Sequence, residues 1–457
     1  MLNPLLLAFL PLVRPQDNAR ARSAQTRPAP TPPAVPPPCI EPLEPRSFLS
    51  GPHPAATSAA RLIDAAPDKP IRAPSAATPA PPNAAAKKAA TPANARKAKA
   101  IAYRGPITIT RGGVYSGNWR SLNANVPAVR IRTSDPVIIQ NALIISRGTL
   151  IDAFAYAANL TVKNTRGYAL NPDVAGRFPG RFMDIDGFTR IVAQNNYIEG
   201  TSGIYLYNYR GNHTPAHSVR IFHNQAKNVD GRFSDGNGAF LTGPDDNHFV
   251  QFFQINGVHN LPAVEIAWNQ VINDPGRSRV EESINIHDSS GTSNSPILIH
   301  DNYIQGAYAA DPAHDAAYTG GGIMLSDNGA SHTRAYNNQI VSTSHEGIAI
   351  SSGHDNQFYN NRIISSGYLP DGRPNPSQNV GAIIWNYNNE PDFADNSARN
   401  NLIGWMLNGK HNNAFVPDAA LWTNNRAYPG KVTRKSEACE WTLWQKKLAA
   451  AETKGLN

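Results

Sequence analysis

From residue 101 to about 430 the chain runs in short apolar-x-apolar patches separated by Asn, Gly and Asp. Alternation over four to six residues predicts strands with one buried face, and the Asn-rich punctuation predicts turns that enter left-handed backbone. Two signatures interleave. The first ends a strand on an Asn followed by a spacer and an apolar residue: IVAQNNYI (191–198), RIFHNQA (220–226), EIAWNQVI (265–272), LIHDNYI (298–304), RAYNNQI (334–340) and QFYNNRI (357–363). It aligns Asn196, Asn224, Asn269, Asn302, Asn338 and Asn361, with separations of 28, 45, 33, 36 and 23 residues. The second opens a strand on Gly or Ser: GIYLYN (203–208), GAFLTG (238–243), SINIHD (283–288), GIMLSD (322–327), GIAISS (347–352) and GAIIWN (381–386).

Two signatures alternating at one irregular period predict stacked coils, each burying apolar residues against the next and leaving insertions outside. A propeller requires about four strands per blade at more even spacing, and the sequence lacks that regularity. Stacked coils also explain the Asn positions, because equivalent amides can hydrogen-bond from coil to coil. Long amphipathic helices are absent from this stretch. SEACEWTLWQKKLAAAE (436–452) predicts a short helix whose Trp441, Leu443, Trp444 and Leu448 cover the last coil.

The first hundred residues differ in kind. They hold 21 of the 38 prolines, with 13 of the 42 Lys and Arg and 5 of the 34 Asp and Glu, leaving 29 of each sign afterwards. The +8 formal charge therefore belongs to a Pro/Ala tail, and the remainder is neutral. This argues against a nucleic-acid-binding domain. LLLAFLPLV (5–13) reads as the apolar part of an export signal over 1–24, without the usual positive residues before it. Residues 25–100 read as a disordered basic linker, 101–435 as one solenoid domain and 436–457 as the cap and tail. No later stretch is apolar enough to cross a bilayer. Cys39 and Cys439 are expected to be independent free thiols.

The repeats over 101–430 resemble the right-handed parallel β-helix proteins of the pectate-lyase-like superfamily, which includes polysaccharide lyases, hydrolases, epimerases and phage depolymerases. The resemblance implies an all-β, single-stranded right-handed parallel β-helix, to which the composition adds a disordered N-terminal tail and the 436–452 pattern a short C-terminal capping helix. It further implies a secreted, periplasmic or cell-envelope enzyme, expected as a monomer, that degrades polysaccharide. Lyase action on a uronate-containing chain comes first. Hydrolysis by paired carboxylates and noncatalytic carbohydrate binding or adhesion are the alternatives.

Strand alternation points Ile204, Leu206, Ile284, Ile286, Ile323, Leu325, Ile348 and Ile350 inward, and Met183 and Ile185 one coil earlier. The outward ribbon then carries Tyr205, Tyr207, Phe240, Thr242, Asn285, His287, Met324, Ser326, Ser351 and Trp385. His287, Asp288 and Asp327 are the expected catalytic residues: an imidazole titrates near neutrality, and Asp288 and Asp327 should stack as a carboxylate pair. Glu281 and Glu282 lie immediately upstream of His287 and Asp288, and His345 and Glu346 immediately precede the strand after Asp327. Tyr205, Tyr207, Trp385 and Tyr387 offer faces for sugar rings, and Lys227 and Arg210 offer charge for a uronate. Asp184 and Asp186, two apart on one strand, are the expected calcium ligands.

Overall fold

The computed structural model describes residues 101–454 apart from Tyr318 and Ala419. The export signal and linker expected over 1–24 and 25–100 lie outside the described residues. What the sequence predicts as coils is a parallel β-helix, nearly all-β with one C-terminal helix. Each coil contributes up to three strands, and equivalent strands stack in parallel into three ladders.

The first ladder passes through Val129–Ile131, the front of Ile151–Lys163, the front of Met183–Gln194, Ile204–Tyr209, Phe253–Asn256, Glu282–His287, Gly321–Asp327, Glu346–Ile350 and Val380–Ile384. The second uses the back halves of the two long strands, then Val219–Phe222, Glu265–Ala267, Ile297–His300, Thr333–Tyr336 and Gln357–Tyr359. Because Ile151–Lys163 and Met183–Gln194 turn the corner without a break, these two ladders form one 20-stranded sheet. The third ladder, a separate 12-stranded sheet, includes Tyr197–Glu199, Gln225–Lys227, Gln270–Ile272, Tyr303–Ala307, Gln339–Thr343, Arg362–Ser365 and Leu402–Leu407.

All ten side chains expected to face inward on the first ladder are fully buried, in one continuous core with residues of the other two ladders. The Asn expectation holds atom by atom. Asn196 Nδ2 donates to Asn224 Oδ1 at 2.9 Å, and the relay continues through Asn269, Asn302, Asn338 and Asn361 at 2.9–3.0 Å. It extends to Asn401 and Asn425, which the sequence reading did not include. The residue before each Asn, from Asn195 to Asn424, has φ near +55°, so the turn repeats identically and aims every amide along the stack. Each amide also donates to a carbonyl of an earlier coil, as Asn302 does to Ile266. The buried polar column is thus satisfied, as burial demands.

One strand expectation is corrected. GAFLTG (238–243) is not a ladder strand: it lies in the insertion between Gln225–Lys227 and Phe253–Asn256, where Ser234 and Phe240 make an isolated antiparallel bridge. FQIN (253–256) takes the ladder position because Phe253 and Ile255 supply the two fully buried rows. Phe240 and Leu241 of the expected segment are only half-buried.

The C-terminal helix, α1 (Arg434–Thr453), begins with Thr433 as N-cap in a reciprocal capping box with Ser436. The expectation that its apolar residues cover the last coil is corrected: it lies along the outer flank of the third ladder, and Leu443 is left exposed. One turn of helix advances about 5.4 Å and one coil about 4.8 Å, so side chains three or four apart meet successive coils. Glu437 accepts from the Ser366 amide, Glu440 accepts from Arg362 Nε and Nη2 at 2.6 Å each, and Trp444 packs on Tyr303 and Val341 while its Nε1 donates to the Asp301 carbonyl. Leu448 then reaches Trp268 and Phe222. Cys439 on this helix is disulfide-bonded, which corrects the free-thiol expectation for it; Cys39 lies outside the described residues.

Candidate functional site

On the outer face of the first ladder the stacking register builds two columns. One contains Asp152, Asp184, Tyr205, Gln254, Asn285 and Met324; the other contains Phe154, Asp186, Tyr207, Asn256 and His287. Residues distant in sequence become neighbours about 4.8 Å apart because parallel strands are spaced so.

The second column continues to Asp327 through an irregularity. Asn285 pairs with Met324, but His287 pairs with Asp327, one residue later than strict alternation allows. Ser326 is drawn inward, fully buried and paired with Ile350, with its hydroxyl oxygen 2.7 Å from the carbonyl oxygens of both Ala330 and Ser352. The extra residue rotates Asp327 out onto the face, which is what a bulge does to a strand. Two expectations are corrected as a result. Ser326 does not face the ribbon, and Asp288 is not registered with Asp327. Asp288 has φ +42° at the start of the following turn, with its carboxylate 3.6 Å from His259 Nε2.

His287 and Asp327 do come together. His287 Nδ1 donates to Asn256 Oδ1 at 3.1 Å, which leaves Nε2 facing Asp327 Oδ2 at 4.0 Å. Asn285 Nδ2 spans two carboxylates, 3.2 Å from Glu282 Oε2 and 3.4 Å from Asp327 Oδ2. Asn256 Nδ2 donates to Tyr205 Oη, tying the imidazole to the aromatic pair.

Beneath and beside this row sit further acids. Glu282 and Glu346 occupy the same column with Gly321 between them, and a Cβ at Gly321 would lie 1.8 Å from Glu346 Oε1 and 2.9 Å from Glu282 Cγ. Only glycine lets both acids enter. Glu346 is 1% exposed; its Oε2 lies 2.7 Å from His345 Nδ1, and its Oε1 has no hydrogen-bond partner among the described residues. Burial pushes the Glu281 carboxyl up to about 7; Arg279 opposes the shift, and Asp327 and Glu346 add to it. Glu282 is raised well above the ordinary carboxyl range, first by burial and then by Glu281, Glu346 and Asp327. Crowded, poorly solvated acids of like charge retain protons at neutral pH. Glu281 itself is half-buried and accepts from Gln251 Nε2 at 3.2 Å.

The other expected residues separate into groups. Tyr205 and Tyr207 stack with centroids 6.4 Å apart, and Arg181 lies over the Tyr205 ring. Trp385 meets Tyr387 edge-on at 4.9 Å. Five coil steps separate Tyr205 from Ile383, about 24 Å, with the acid row between the two aromatic groups. Arg210 stands at the corner after the Tyr strand, beside Gly187. Lys227 belongs to the third ladder and pairs with Asp274 at 3.4 Å, so it is removed from the acid row. Asp184 and Asp186 both face outward. Asp186 accepts from Asn208 at 2.6 Å; Asp184 is raised by burial against the opposing charge of Arg181.

Gln254, Asn256 and the buried Arg181 were not among the expected site residues. The two amides went unnoticed because GAFLTG was assigned the strand that FQIN supplies. Hydrophobic alternation of FFQIN was the available signal. No protein-family model matches the chain, and no curated protein or solved structure is significantly similar to it.

Proposed function

We propose that this protein is an exported polysaccharide-cleaving enzyme of the pectate-lyase-like kind that binds a glycan along the first ladder and hydrolyses a glycosidic bond over the acid row. The observation carrying this reading is the convergence of Glu281, Glu282, Asp327 and Glu346 around His287 and Asn285, between two aromatic groups on one face. Aromatic rings offer apolar faces to sugars, and neighbouring amides bind their hydroxyls.

Glycoside hydrolysis needs one carboxyl that holds a proton and another that is ionised. Glu281 suits the acid, since its carboxyl stays protonated to about 7 and it reaches the surface. Asp327 suits the nucleophile or base, held by Asn285 and faced by His287. Protonation of the glycosidic oxygen by Glu281 releases the leaving sugar while Asp327 either takes a proton from a water that attacks the anomeric carbon, or attacks that carbon itself to form a glycosyl ester that water then hydrolyses, with Glu281 taking the water's proton.

Hydrolysis is favoured over β-elimination by charge. Elimination from a uronate builds negative charge beside its carboxylate, which a cation must stabilise. Acids dominate this row, and the neighbouring Arg279 guanidinium is bonded to the Val280 carbonyl. Incubation with neutral and acidic polysaccharides, read by reducing ends and by ultraviolet absorbance of unsaturated ends, tests the proposal. New reducing ends without absorbance are expected. Absorbance indicates a lyase instead, and binding without new ends leaves a carbohydrate-binding protein.

A further inference from the structure

The turns joining the first ladder to the second bring two histidines and an aspartate together on successive coils. Arg334 pairs with Gln357, and counting back along both strands places His332 opposite Asp355 and Ser331 opposite His354. His332 and Asp355 share the same left-handed backbone, φ +52° and +56°, and the His332 amide donates to the His354 carbonyl at 3.3 Å. Their side chains therefore leave the stack at equivalent places. His354 Nδ1 lies 2.8 Å from Asp355 Oδ2, and His332 Nδ1 lies 3.9 Å from the same oxygen. The two imidazoles are 5.4 Å apart at 88°. Among the described residues, these three are the one group of His, Cys, Asp or Glu whose donor atoms all lie within 4.8 Å of one another.

We propose that His332, His354 and Asp355 bind a divalent transition-metal ion of the zinc class, clipping two successive coils together beside the groove. Two bonds of about 2.0–2.1 Å at a tetrahedral angle separate donor atoms by about 3.3 Å. The observed 2.8 and 3.9 Å straddle that value, so small side-chain rotations bring the donors into place. Two imidazoles with one carboxylate suit zinc, nickel or copper, and disfavour calcium and magnesium, which take oxygen donors. Side-chain exposures of 24% for His332, 36% for His354 and 44% for Asp355 give an ion access and leave its remaining position to water. The clip is independent of the proposed cleavage, since its ligands lie outside the acid row.

Isothermal titration of the untagged full chain with zinc and with calcium tests the site. Zinc should bind at least about tenfold more tightly than calcium, and H332A, H354A and D355N should each weaken zinc by at least about tenfold while H314A leaves it unchanged. Melting in a chelator identifies any variant that fails to fold. For the unaltered chain, zinc should protect His332 and His354, and not His314, from carbethoxylation mapped by mass spectrometry. Equal zinc affinity in all variants, equal affinity for calcium, or absence of selective protection overturns the proposal.

Discussion

The first and third ladders share a backbone plan and an interior but differ in what covers their outer faces. Inward rows are mostly Ile, Leu, Val or small residues on both, with Met183 and Phe253 joining them on the first. Outside, part of the third ladder is covered by α1: Tyr303 and Val341 are fully buried under Trp444, and Arg362 is paired with a buried Glu440. Among the described residues, no comparable element covers the first ladder. His287 and Asp327 keep side-chain exposures of 31% and 36%, and Tyr207 keeps 38% for the whole residue. A repetitive interior therefore supplies rigidity to both faces, and the outer residues decide which one becomes structural and which one is left to bind.

The contrast can be broken from either side. The largest effect is expected from the groove: E281Q and D327N should each lower the rate of glycan cleavage by about 10²–10⁴-fold, measured at saturating substrate, with little loss of melting temperature. Truncation of the covered face should do the opposite. W444A removes a 3%-exposed indole and should cost about 3–5 kcal/mol in denaturant unfolding, with the cleavage rate of the folded fraction nearly unchanged. If W444A abolished cleavage in fully folded protein, the separation of the two faces would be lost.

Acidity sharpens the comparison further. Glu281 has its folded pKa raised from 4.5 to about 7, so the folded chain holds a proton that the unfolded chain releases. Its contribution to stability is fully present below about 4.5 and disappears as pH rises through about 7. Melting followed across that window should fall with pH in the parent, and less steeply in E281Q. Cleavage, if Glu281 is the acid, should decline above the same pH. The smallest effect is expected for K227A on the third ladder, whose exposed pair with Asp274 is worth about 0–1 kcal/mol; cleavage should stay within about twofold of the parent.

Much of the solenoid was legible because its physics is local and repeated. Alternation identifies inward rows at Ile204, Ile284, Ile323 and Ile348 without knowledge of the fold, since successive side chains of a strand must point to opposite faces. The Asn column was equally legible, because a turn that repeats must repeat the residue that satisfies it. GAFLTG shows where local pattern fails: alternation alone does not distinguish a strand from a segment of an insertion, and only packing against neighbouring coils selected FQIN. The site was half legible. His287 and Asp327 were found, but their partnership with each other depends on the bulge at Leu325 and Ser326, invisible to a rule of strict alternation.

By itself, then, the sequence determined a neutral core of coils behind a basic leader, the identity of the buried rows and the amide column that links them. Tertiary structure decided the register between coils, and with it that His287 rather than Asp288 faces Asp327. It also decided that α1 lies along the third ladder, matching helical turns to coil spacing. Periodicity within a strand is set by its own backbone, whereas register and docking are set by contacts between residues tens of positions apart, which no local pattern encodes.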